Sequence, residues 1–243
     1  MLAPLEIHMF PCLWDNYGFL IHSPETGETA CIDTPEVDKI ILALEEKSWN
    51  LTHIWNTHHH PDHAGGNLKL KEIYGAKIIG CEADRKRIPG IDIGISDGDR
   101  FNFAGHEVQI METPGHTIGH IIYYVPSAKS AFVGDTIFAL GCGRLFEGTP
   151  VQMYHSLSRI AGLPDDTALY CAHEYTLSNG KFALTVEPNN QALIDYVKDA
   201  TSKREENIPT VPTTVLAEKS ANPFVRAGSA KRLGEIRKAK DNF

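Results

Sequence analysis

The residues at positions 58–63, His-His-His-Pro-Asp-His, follow directly on the segment 51–57, which has the composition of a β-strand. Four of them fit the spacing H-x-H-x-D-H: His58, His60, Asp62 and His63. At the His and Asp frequencies of this chain, chance produces that pattern in roughly one such sequence in several hundred. Histidine is the commonest metal ligand, and Asp62 with the following Gly65-Gly66 turn is unlike a purification tag or a plain polar loop. The run therefore predicts a metal site at the end of a strand.

Three further donor residues follow apolar runs elsewhere in the chain. They are His116 after 108–112, Asp135 after 130–133, and His173 after the run that begins at Leu169. Strand ends on one rim of a sheet converge in space, and α/β proteins commonly build their sites there. We therefore expect these three side chains to join the histidine run in one site.

The first half of the chain mixes predicted strands with predicted helices. Apolar, β-branched stretches between Gly, Pro and Asp turns predict strands at 17–22, 29–33, 53–56, 77–80, 108–112, 120–125 and 130–133. Apolar residues at helical spacing predict helices at 37–47 and 66–74. Hairpin patterns at 101–112 and 120–138 argue against a purely parallel, doubly wound sheet. The expected fold class is α/β.

The amino-acid composition of the chain changes after about residue 173. A polar, helix-favouring stretch at 189–207 precedes a proline-rich loop at 208–214, and a basic helix is predicted at the C-terminus. We expect a catalytic domain at 1–173 and a mainly helical domain at 174–243, which is too small to be stable without docking on the first. Within the first domain, a helical face is predicted to be core: Val151, Tyr154, Leu157 and Ile160.

Composition excludes several classes of protein. Lys plus Arg number 23 and Asp plus Glu 31, so the net charge of −8 disfavours a nonspecific nucleic-acid binder. The five cysteines are odd in number and form no C-x-x-C pair, which argues against a disulfide framework. No apolar run approaches the roughly 18 residues of a membrane helix, and the first residues lack the pattern of a secretory signal. We expect a soluble cytoplasmic protein that binds neither nucleic acid nor membrane.

The donor residues together resemble the metallo-β-lactamase superfamily, and the resemblance covers residues 1 to about 173. It implies a four-layer αββα sandwich that holds two metal ions between its sheets. By resemblance, the first metal binds His58, His60 and His116, the second binds Asp62, His63 and His173, and Asp135 bridges them. Asp33 matches an aspartate that orients the ligands, although a turn or helix cap before Val37 is the alternative. Imidazoles and carboxylates suit Zn²⁺ best, and Fe or Mn also accept them.

Segments beyond residue 173 extend the resemblance to the glyoxalase II family, the hydroxyacylglutathione hydrolases. They are His173-Glu-Tyr-Thr, Val186-Glu-Pro, Pro209-Thr-Val-Pro-Thr-Thr, Asn222-Pro-Phe-Val-Arg226 and Arg237-Lys-Ala-Lys240-Asp. This resemblance implies a thioester hydrolase that converts S-2-hydroxyacylglutathione, in particular S-D-lactoylglutathione, to glutathione and D-lactate, the second step of methylglyoxal detoxification. The implied nucleophile is a hydroxide between two metals, with Asp62 and Asp135 as catalytic ligands.

Glutathione carries two carboxylates and one ammonium, so cations should bind it. Residues 226–243 contain six Lys or Arg against two acidic residues, a net +4, which leaves −12 on the other 225. Such a cluster fits a carboxylate clamp and equally a helix C-terminus. The family resemblance favours the clamp and implies a set of substrate contacts: Arg144, Phe146, Tyr175, Arg237 and Lys240. Arg144 and Phe146 depart from the lysine and tyrosine that the family often has there.

Other functions fit part of the pattern. One alternative is a glutathione persulfide dioxygenase with a single iron on the same scaffold, and another is a noncatalytic metal-binding protein. A metal-dependent nuclease shares H-x-H-x-D-H, but the net charge disfavours it. His59 and His120 are expected to be solvent-facing or structural rather than ligands, Cys142 and Cys171 are given no role, and a monomer is expected.

Overall fold

The computed structural model describes residues 3–243. Its strands are β1 (Glu6–Cys12), β2 (Asn16–His22), β3 (Thr29–Ile32), β4 (His53–Trp55), β5 (Lys77–Cys81), β6 (Ile93–Ile95), β7 (Arg100–Phe103), β8 (His106–Glu112), β9 (Ile121–Val125), β10 (Ser130–Gly134), β11 (Ile137–Phe138), β12 (Gly141–Cys142), β13 (Ala168–Cys171) and β14 (Thr213–Thr214). Its α-helices are α1 (Val37–Lys47), α2 (Pro61–Ala64), α3 (Asn67–Tyr74), α4 (Pro150–Ala161), α5 (Thr176–Val186), α6 (Gln191–Glu205), α7 (Val215–Ala221) and α8 (Ala230–Asp241).

The chain divides into two compact units. Unit 1 consists of residues 3–112 and Gly119–Phe132, and unit 2 consists of Thr113–Ile118 and Val133–Phe243. Among residues 3–243, no helix has both the length and the apolar content that crossing a membrane requires. The predicted domain boundary at residue 173 stays a prediction.

Unit 1 contains a sheet with the order β1-β2-β3-β4-β5-β6. The first three strands pair antiparallel, and β3 to β6 pair parallel. Parallel neighbours need crossover connections, and α1 and α3 lie in two of these crossovers. Ile40, Leu44 and Leu70 on these helices belong to one apolar cluster with Ile54 and Ile78 of the sheet. Burial of this cluster holds the helices against the sheet.

A second group of strands in unit 1 is antiparallel, in the order β10-β9-β8-β7. Trp55 of β4 contacts the side chains of this second group of strands. Its ring centroid lies 5.1 Å from that of Phe103 and 5.3 Å from that of Tyr123. All three rings are buried. Unit 1 is therefore built as helices, then one sheet, then a second sheet, with aromatic packing between the sheets.

The predicted strands of unit 1 are confirmed, and the helix at 37–47 has the predicted bounds. The predicted strand at 120–125 begins one residue later, at Ile121. Two strands, β1 and β6, were not predicted. β1 contains Pro11 and lies at the edge of the sheet, where a residue without a backbone N–H is tolerated.

Unit 2 contains β11 to β14, the end of β10 and helices α4 to α8. β13 pairs antiparallel with β14, and the Ala172 amide donates to the Gly134 carbonyl at the end of β10 (3.2 Å). The predicted helical stretch at 189–207 is confirmed as α6, whose first turn is capped by the side chain of Asn190. The predicted basic helix at the C-terminus is α8.

Helix α5 was not predicted, because its sequence has weak helical character and contains Gly180. A Cβ at Gly180 would lie 2.7 Å from Cγ2 of Val197 on α6, so the glycine permits close packing of the two helices. In α4, the predicted core face is partly wrong. Leu157 and Ile160 are buried as predicted, but Val151 is 65% exposed and Tyr154 is half-buried; Met153 and Ser156 are buried in addition.

Glu218 on α7 is a buried carboxyl that joins several segments of unit 2. Its Oε2 accepts hydrogen bonds from the Leu140 amide (2.9 Å) and Asn222 Nδ2 (2.8 Å). Its Oε1 accepts from Thr213 Oγ1 (2.7 Å) and the Tyr196 hydroxyl (3.4 Å). Burial raises the pKa of Glu218 to about 7, although the hydrogen bonds act in the opposite direction.

We predict that Glu218→Gln removes a negative contribution to the slope of stability against pH between the ordinary pKa of 4.5 and about 7. Because the folded pKa of Glu218 is raised, this group binds more protons in the folded chain than in the unfolded chain in this interval, and its contribution to the unfolding free energy falls as pH rises. The full shift corresponds to about 3 kcal/mol. Urea unfolding at several pH values measures the slope. The exposed Glu235→Gln should keep the wild-type slope, and equal slopes in wild type and Glu218→Gln would contradict the prediction.

Candidate metal centre

The loop after β4 is held by buried side chains of unit 1. Asn56 Nδ2 donates to the His63 carbonyl (2.9 Å), and the Tyr123 hydroxyl donates to the Asn56 carbonyl (2.9 Å). Asn67 Nδ2 donates to Asn56 Oδ1 (2.7 Å), and Thr34 Oγ1 donates to Asn67 Oδ1 (2.8 Å). These four side chains are buried. Hydrogen bonds within the protein therefore fix the path of the chain from strand β4 into helix α2.

The four motif side chains of unit 1 lie in this loop and in α2. His58 and His63 are buried, and His60 and Asp62 are half-buried. His58 Nε2 is 3.0 Å from His60 Nδ1, and His63 Nε2 is 3.5 Å from Asp62 Oδ2. The rings of His58 and His63 have centroids 4.0 Å apart. The structure therefore brings all four predicted donors of unit 1 together.

Asp33 lies directly behind these donors, just after β3. It is buried and has a left-handed backbone conformation, with φ of 58°. Its Oδ1 accepts from the Thr57 amide (2.7 Å), and its Oδ2 accepts from Thr57 Oγ1 (2.8 Å). The same Oδ2 is 2.8 Å from His63 Nδ1. Because an ionised carboxylate only accepts, the proton of His63 lies on Nδ1, and Nε2 keeps the lone pair that a metal would use.

Unit 2 brings its own three predicted donors together. Asp135 Oδ2 is 3.4 Å from His116 Nε2, and Asp135 Oδ1 is 3.4 Å from His173 Nε2. All three side chains are buried. Each oxygen of the carboxylate therefore faces a different imidazole.

The chain passes close to these donors at Gly143. A Cβ at this position would lie 2.0 Å from the Asp135 carbonyl oxygen and 3.1 Å from His116 Nδ1. The neighbouring Arg144 carbonyl is 2.9 Å from His116 Nδ1. Since a carbonyl only accepts, His116 Nδ1 carries the proton and Nε2 keeps the lone pair. A glycine at 143 is thus what allows the backbone to fix the orientation of His116.

The donor set fits a borderline divalent metal such as Zn²⁺, and also Fe or Mn. It offers imidazole nitrogens and carboxylate oxygens from seven residues: His58, His60, Asp62 and His63 in unit 1, and His116, Asp135 and His173 in unit 2. Thiolates do not compete, because all five cysteines are buried and free and burial raises the pKa of each. The nearest in sequence to the donors are Cys142, with a pKa of about 11, and Cys171, with a pKa of about 12.

Two aromatic residues predicted to bind substrate lie against the donors of unit 2. The ring of Tyr175 stacks on His173, with centroids 4.7 Å apart and an interplanar angle of 5°. Phe146 meets His116 edge to face at 5.2 Å and is 61% exposed. Phe146 therefore offers an accessible apolar surface beside His116.

The three predicted substrate cations also lie in unit 2. Arg237 is buried, donates from Nη1 to the Cys142 carbonyl (2.9 Å), and pairs with Asp241 (2.8 Å). Arg144 Nε is 3.3 Å from Asp241 Oδ1. Lys240 donates from Nζ to the Ser178 carbonyl (3.0 Å), and burial together with the charge of Arg237 lowers the pKa of Lys240. These intramolecular bonds could not be predicted from the sequence, because each depends on tertiary packing.

His59 and His120 contact other residues of unit 1. His120 is buried and stacks on His58, with centroids 4.8 Å apart. His59 Nδ1 is 3.1 Å from Asp84 Oδ2. Asp84, like Asn16, whose Nδ2 donates to Asp62 Oδ2 (3.3 Å), was missed by the sequence analysis. Neither residue belongs to a spaced motif, so only the tertiary structure identifies them.

The chain matches two family models. Residues 32–173 match the metallo-β-lactamase superfamily, and residues 174–243 match the hydroxyacylglutathione hydrolase C-terminus. The hydroxyacylglutathione hydrolase of Maricaulis maris (strain MCS10) is 52% identical, and the alignment covers 100% of both chains. The protein of the same name from Hyphomonas neptunium (strain ATCC 15444) is 50% identical, again over 100% of both.

The solved structures agree on the fold. ETHE1 from Myxococcus xanthus superposes with a TM-score of 0.74 at 24% identity, covering 96% of this chain and 90% of that one. At this identity the likeness shows the fold alone. The predicted α/β class is confirmed as a metallo-β-lactamase fold with a C-terminal helical domain.

We predict that Asp33→Asn weakens Zn²⁺ binding by about 10–100-fold, the usual cost of losing a partner that orients a ligand. An amide has one oxygen and one N–H₂ group, so it cannot accept at the positions of both Oδ1 and Oδ2; one of them then faces a donor, and the contacts that hold Thr57 and orient His63 are disrupted. Competition with a chromogenic chelator measures the affinity. Asp38→Asn, a change in the first turn of α1, is the control and should leave the affinity unchanged. Wild-type affinity in Asp33→Asn would contradict the prediction.

Proposed function

The chain belongs to the metallo-β-lactamase superfamily and to the hydroxyacylglutathione hydrolase family, and we propose that it hydrolyses S-2-hydroxyacylglutathione thioesters, with S-D-lactoylglutathione as the principal substrate. This proposal rests mainly on the sequence identity of about 50% to hydroxyacylglutathione hydrolases over the whole chain. The chain also has donor residues at every position that the family pattern requires. The products are glutathione and a 2-hydroxy acid. The chain is thus a metal-dependent thioester hydrolase.

We assign the seven donors to two metal ions as the family pattern does. One ion is assigned to His58, His60 and His116, and the other to Asp62, His63 and His173, with Asp135 shared. Four pairs of side chains support this assignment: His58 with His60, Asp62 with His63, Asp135 with His116, and Asp135 with His173. The proton on Nδ1 of His63 and of His116 leaves Nε2 of each available to a metal.

When bound, two divalent ions lower the pKa of a water molecule towards neutrality and polarise the thioester carbonyl. The protein residues then have the task of holding the ions and of positioning the substrate. Asp62 and Asp135 supply the carboxylates and are assigned as catalytic ligands, and Asp33 keeps His63 in the required tautomer. The leaving thiolate derives from a thiol with a pKa near 8.5 by the cysteine reference, so its departure needs little help from a protein acid.

We assign the glutathione part of the substrate to Arg144, Tyr175, Arg237 and Lys240, and an apolar contact to Phe146. Lys240 and Arg144 support this role because each carries a cationic group near the surface of unit 2. Arg237 is more buried, and its bonds to the Cys142 carbonyl and Asp241 hold α8 while its charge adds to the field of this cluster. Phe146 lacks the hydroxyl of a tyrosine, so it contributes by packing alone.

The alternative of a glutathione persulfide dioxygenase with one iron is not favoured. The relatives at about half identity over the whole chain carry the hydrolase name, and the C-terminal residues match the hydrolase model. Zn²⁺ is the metal that we assign to the site, with Fe or Mn as the other ions that its N and O donors accept. We further propose a cytoplasmic monomer.

The first prediction from this function concerns metal and substrate together. We expect purified protein with two metal ions per chain to hydrolyse S-D-lactoylglutathione. The loss of thioester absorbance measures the reaction, and a chelator should abolish it.

Asp135→Ala should lower kcat/KM by more than about 100-fold and reduce the amount of bound metal, because losing a ligand costs more than losing a partner of a ligand. A protein that binds metal without hydrolysis would contradict the function, and full activity in Asp135→Ala would contradict the bridging role.

The second prediction concerns the substrate cations. We expect Lys240→Ala to raise KM for glutathione thioesters about tenfold, equal to about 1.4 kcal/mol of binding, and to change kcat less than about twofold. The matched control is Lys203→Ala on α6, whose ammonium pairs with Asp199 and should not affect KM. Steady-state kinetics separate the two parameters. An unchanged KM in Lys240→Ala would remove this residue from the substrate site.

A further inference from the structure

A buried carboxylate that is not among the predicted ligands contacts the metal-binding loop of unit 1. Asp84 lies in the short 3-10 helix after β5 and is 2% exposed. Its Oδ1 accepts from Arg87 Nε (3.0 Å), and its Oδ2 is 3.1 Å from His59 Nδ1. Arg87 Nη1 in turn is 3.4 Å from His59 Nε2. Asp84, Arg87 and His59 thus form a closed triangle, here called the Asp84 triangle.

The chemistry of the three groups fixes the state of His59. The carboxylate of Asp84 only accepts and the guanidinium of Arg87 only donates. His59 therefore carries its proton on Nδ1, donates it to Asp84, and accepts from Arg87 at Nε2. Both ring nitrogens of His59 are used within the triangle. His59 consequently serves as an anchor between its two neighbours in the motif, His58 and His60.

The anchor also constrains the neighbouring rings. The ring of His59 makes an angle of 88° with that of His58 and of 65° with that of His60. The ring centroid of His59 is 4.9 Å from that of His60 and 6.4 Å from that of His58, so a fixed His59 ring limits the positions that both neighbouring rings can take. The side chain at the second position of H-x-H is thereby part of what aims the first and third.

The segment that leads into strand β9 also contacts Asp84 and the metal-binding loop. A Cβ at Gly119 would lie 2.2 Å from Cγ of Asp84 and 2.5 Å from its Oδ2, so the glycine leaves the space that the carboxylate fills. The residue after it, His120, stacks on His58, and the Ile121 amide donates to the Thr57 carbonyl (2.9 Å). Asp84 therefore lies between the two segments that enclose His58.

We propose that Asp84, supported by Arg87, is a positioning residue for the metal centre and that it acts through His59. The inference rests on the proposed dimetal function and deepens it. The triangle holds the 58–60 segment in the conformation that binds metal, so ligands do not have to be ordered when the ion arrives. A buried aspartate without such partners would be costly, and the partners here are supplied by the loop that it orders and by Arg87.

The test compares metal affinity with the stability of the metal-free protein. Asp84→Asn is expected to weaken Zn²⁺ binding about 10–100-fold in competition with a chromogenic chelator, and to lower kcat while KM changes less than about twofold. Asp92→Asn is the matched control, since that carboxylate accepts from Lys71 and the Ile78 amide elsewhere in unit 1. Urea unfolding without metal gives the structural cost of each change.

Two variants of His59 separate positioning from a merely structural role. His59→Asn retains an N–H at the place of Nδ1 and should keep Zn²⁺ affinity within about threefold of wild type, whereas His59→Ala should weaken it as much as Asp84→Asn. The double variant should be no weaker than either single change, because both act on one contact. His59 is partly exposed, so His59→Ala still tests the proposal if Asp84→Asn does not fold.

Each outcome decides the matter. Wild-type Zn²⁺ affinity in folded Asp84→Asn or His59→Ala, or additive losses in the double variant, would overturn the proposal, even if the metal-free protein is less stable. Weakened affinity with rescue by His59→Asn would support it. Because affinity is measured without substrate, the result stands whether or not the wild-type protein hydrolyses S-D-lactoylglutathione, so failure of the proposed function is seen separately.

Discussion

The metal-binding loop of unit 1 depends on the hydrogen bonds that the carboxylate of Asp33 accepts. A charge in a buried position is tolerated only when hydrogen bonds replace the water it has lost. Asp33 finds them in the amide and hydroxyl of Thr57 and in the ring of His63. The dependence is mutual, because the loop satisfies the charge and the charge fixes the loop. Aspartate is also among the few residues that readily adopt the left-handed backbone conformation found here.

In unit 2, a backbone carbonyl and not a carboxylate orients a predicted metal ligand. The Arg144 carbonyl orients His116, and it can do so only because Gly143 has no side chain. Asn222 donates to the carbonyl of Gly141 in the preceding hairpin, and Glu218 accepts from the Leu140 amide and from Asn222. Buried polar groups thus extend from α7 to the residues beside the donors. Such networks rigidify a site when every member is satisfied.

The sequence was sufficient for features that are local or that repeat with a period. The strand that ends before His58 and the helix at 37–47 could be predicted, since each depends on neighbouring residues. The roles of His116, Asp135 and His173 as metal ligands stay a prediction. The roles of Asp84 and Glu218 could not be predicted, because a carboxylate in a short segment gives no sign of what folding will bring against it. Arg237 shows a related limit: its charge suggested a ligand for substrate, and its bond to the Cys142 carbonyl depends on the packing of α8. β1 was missed because Pro11 is unfavourable for a strand except at an edge, and edge position is a property of the whole sheet.

The burial of the five cysteines has a consequence for a protein that releases glutathione. Formation of a mixed disulfide requires a thiolate that can reach its partner. Here all five thiols are buried, and burial raises the pKa of each, so the reactive form is scarce at neutral pH and shielded from solvent. The folded chain therefore shields its own thiols from the glutathione that the reaction releases.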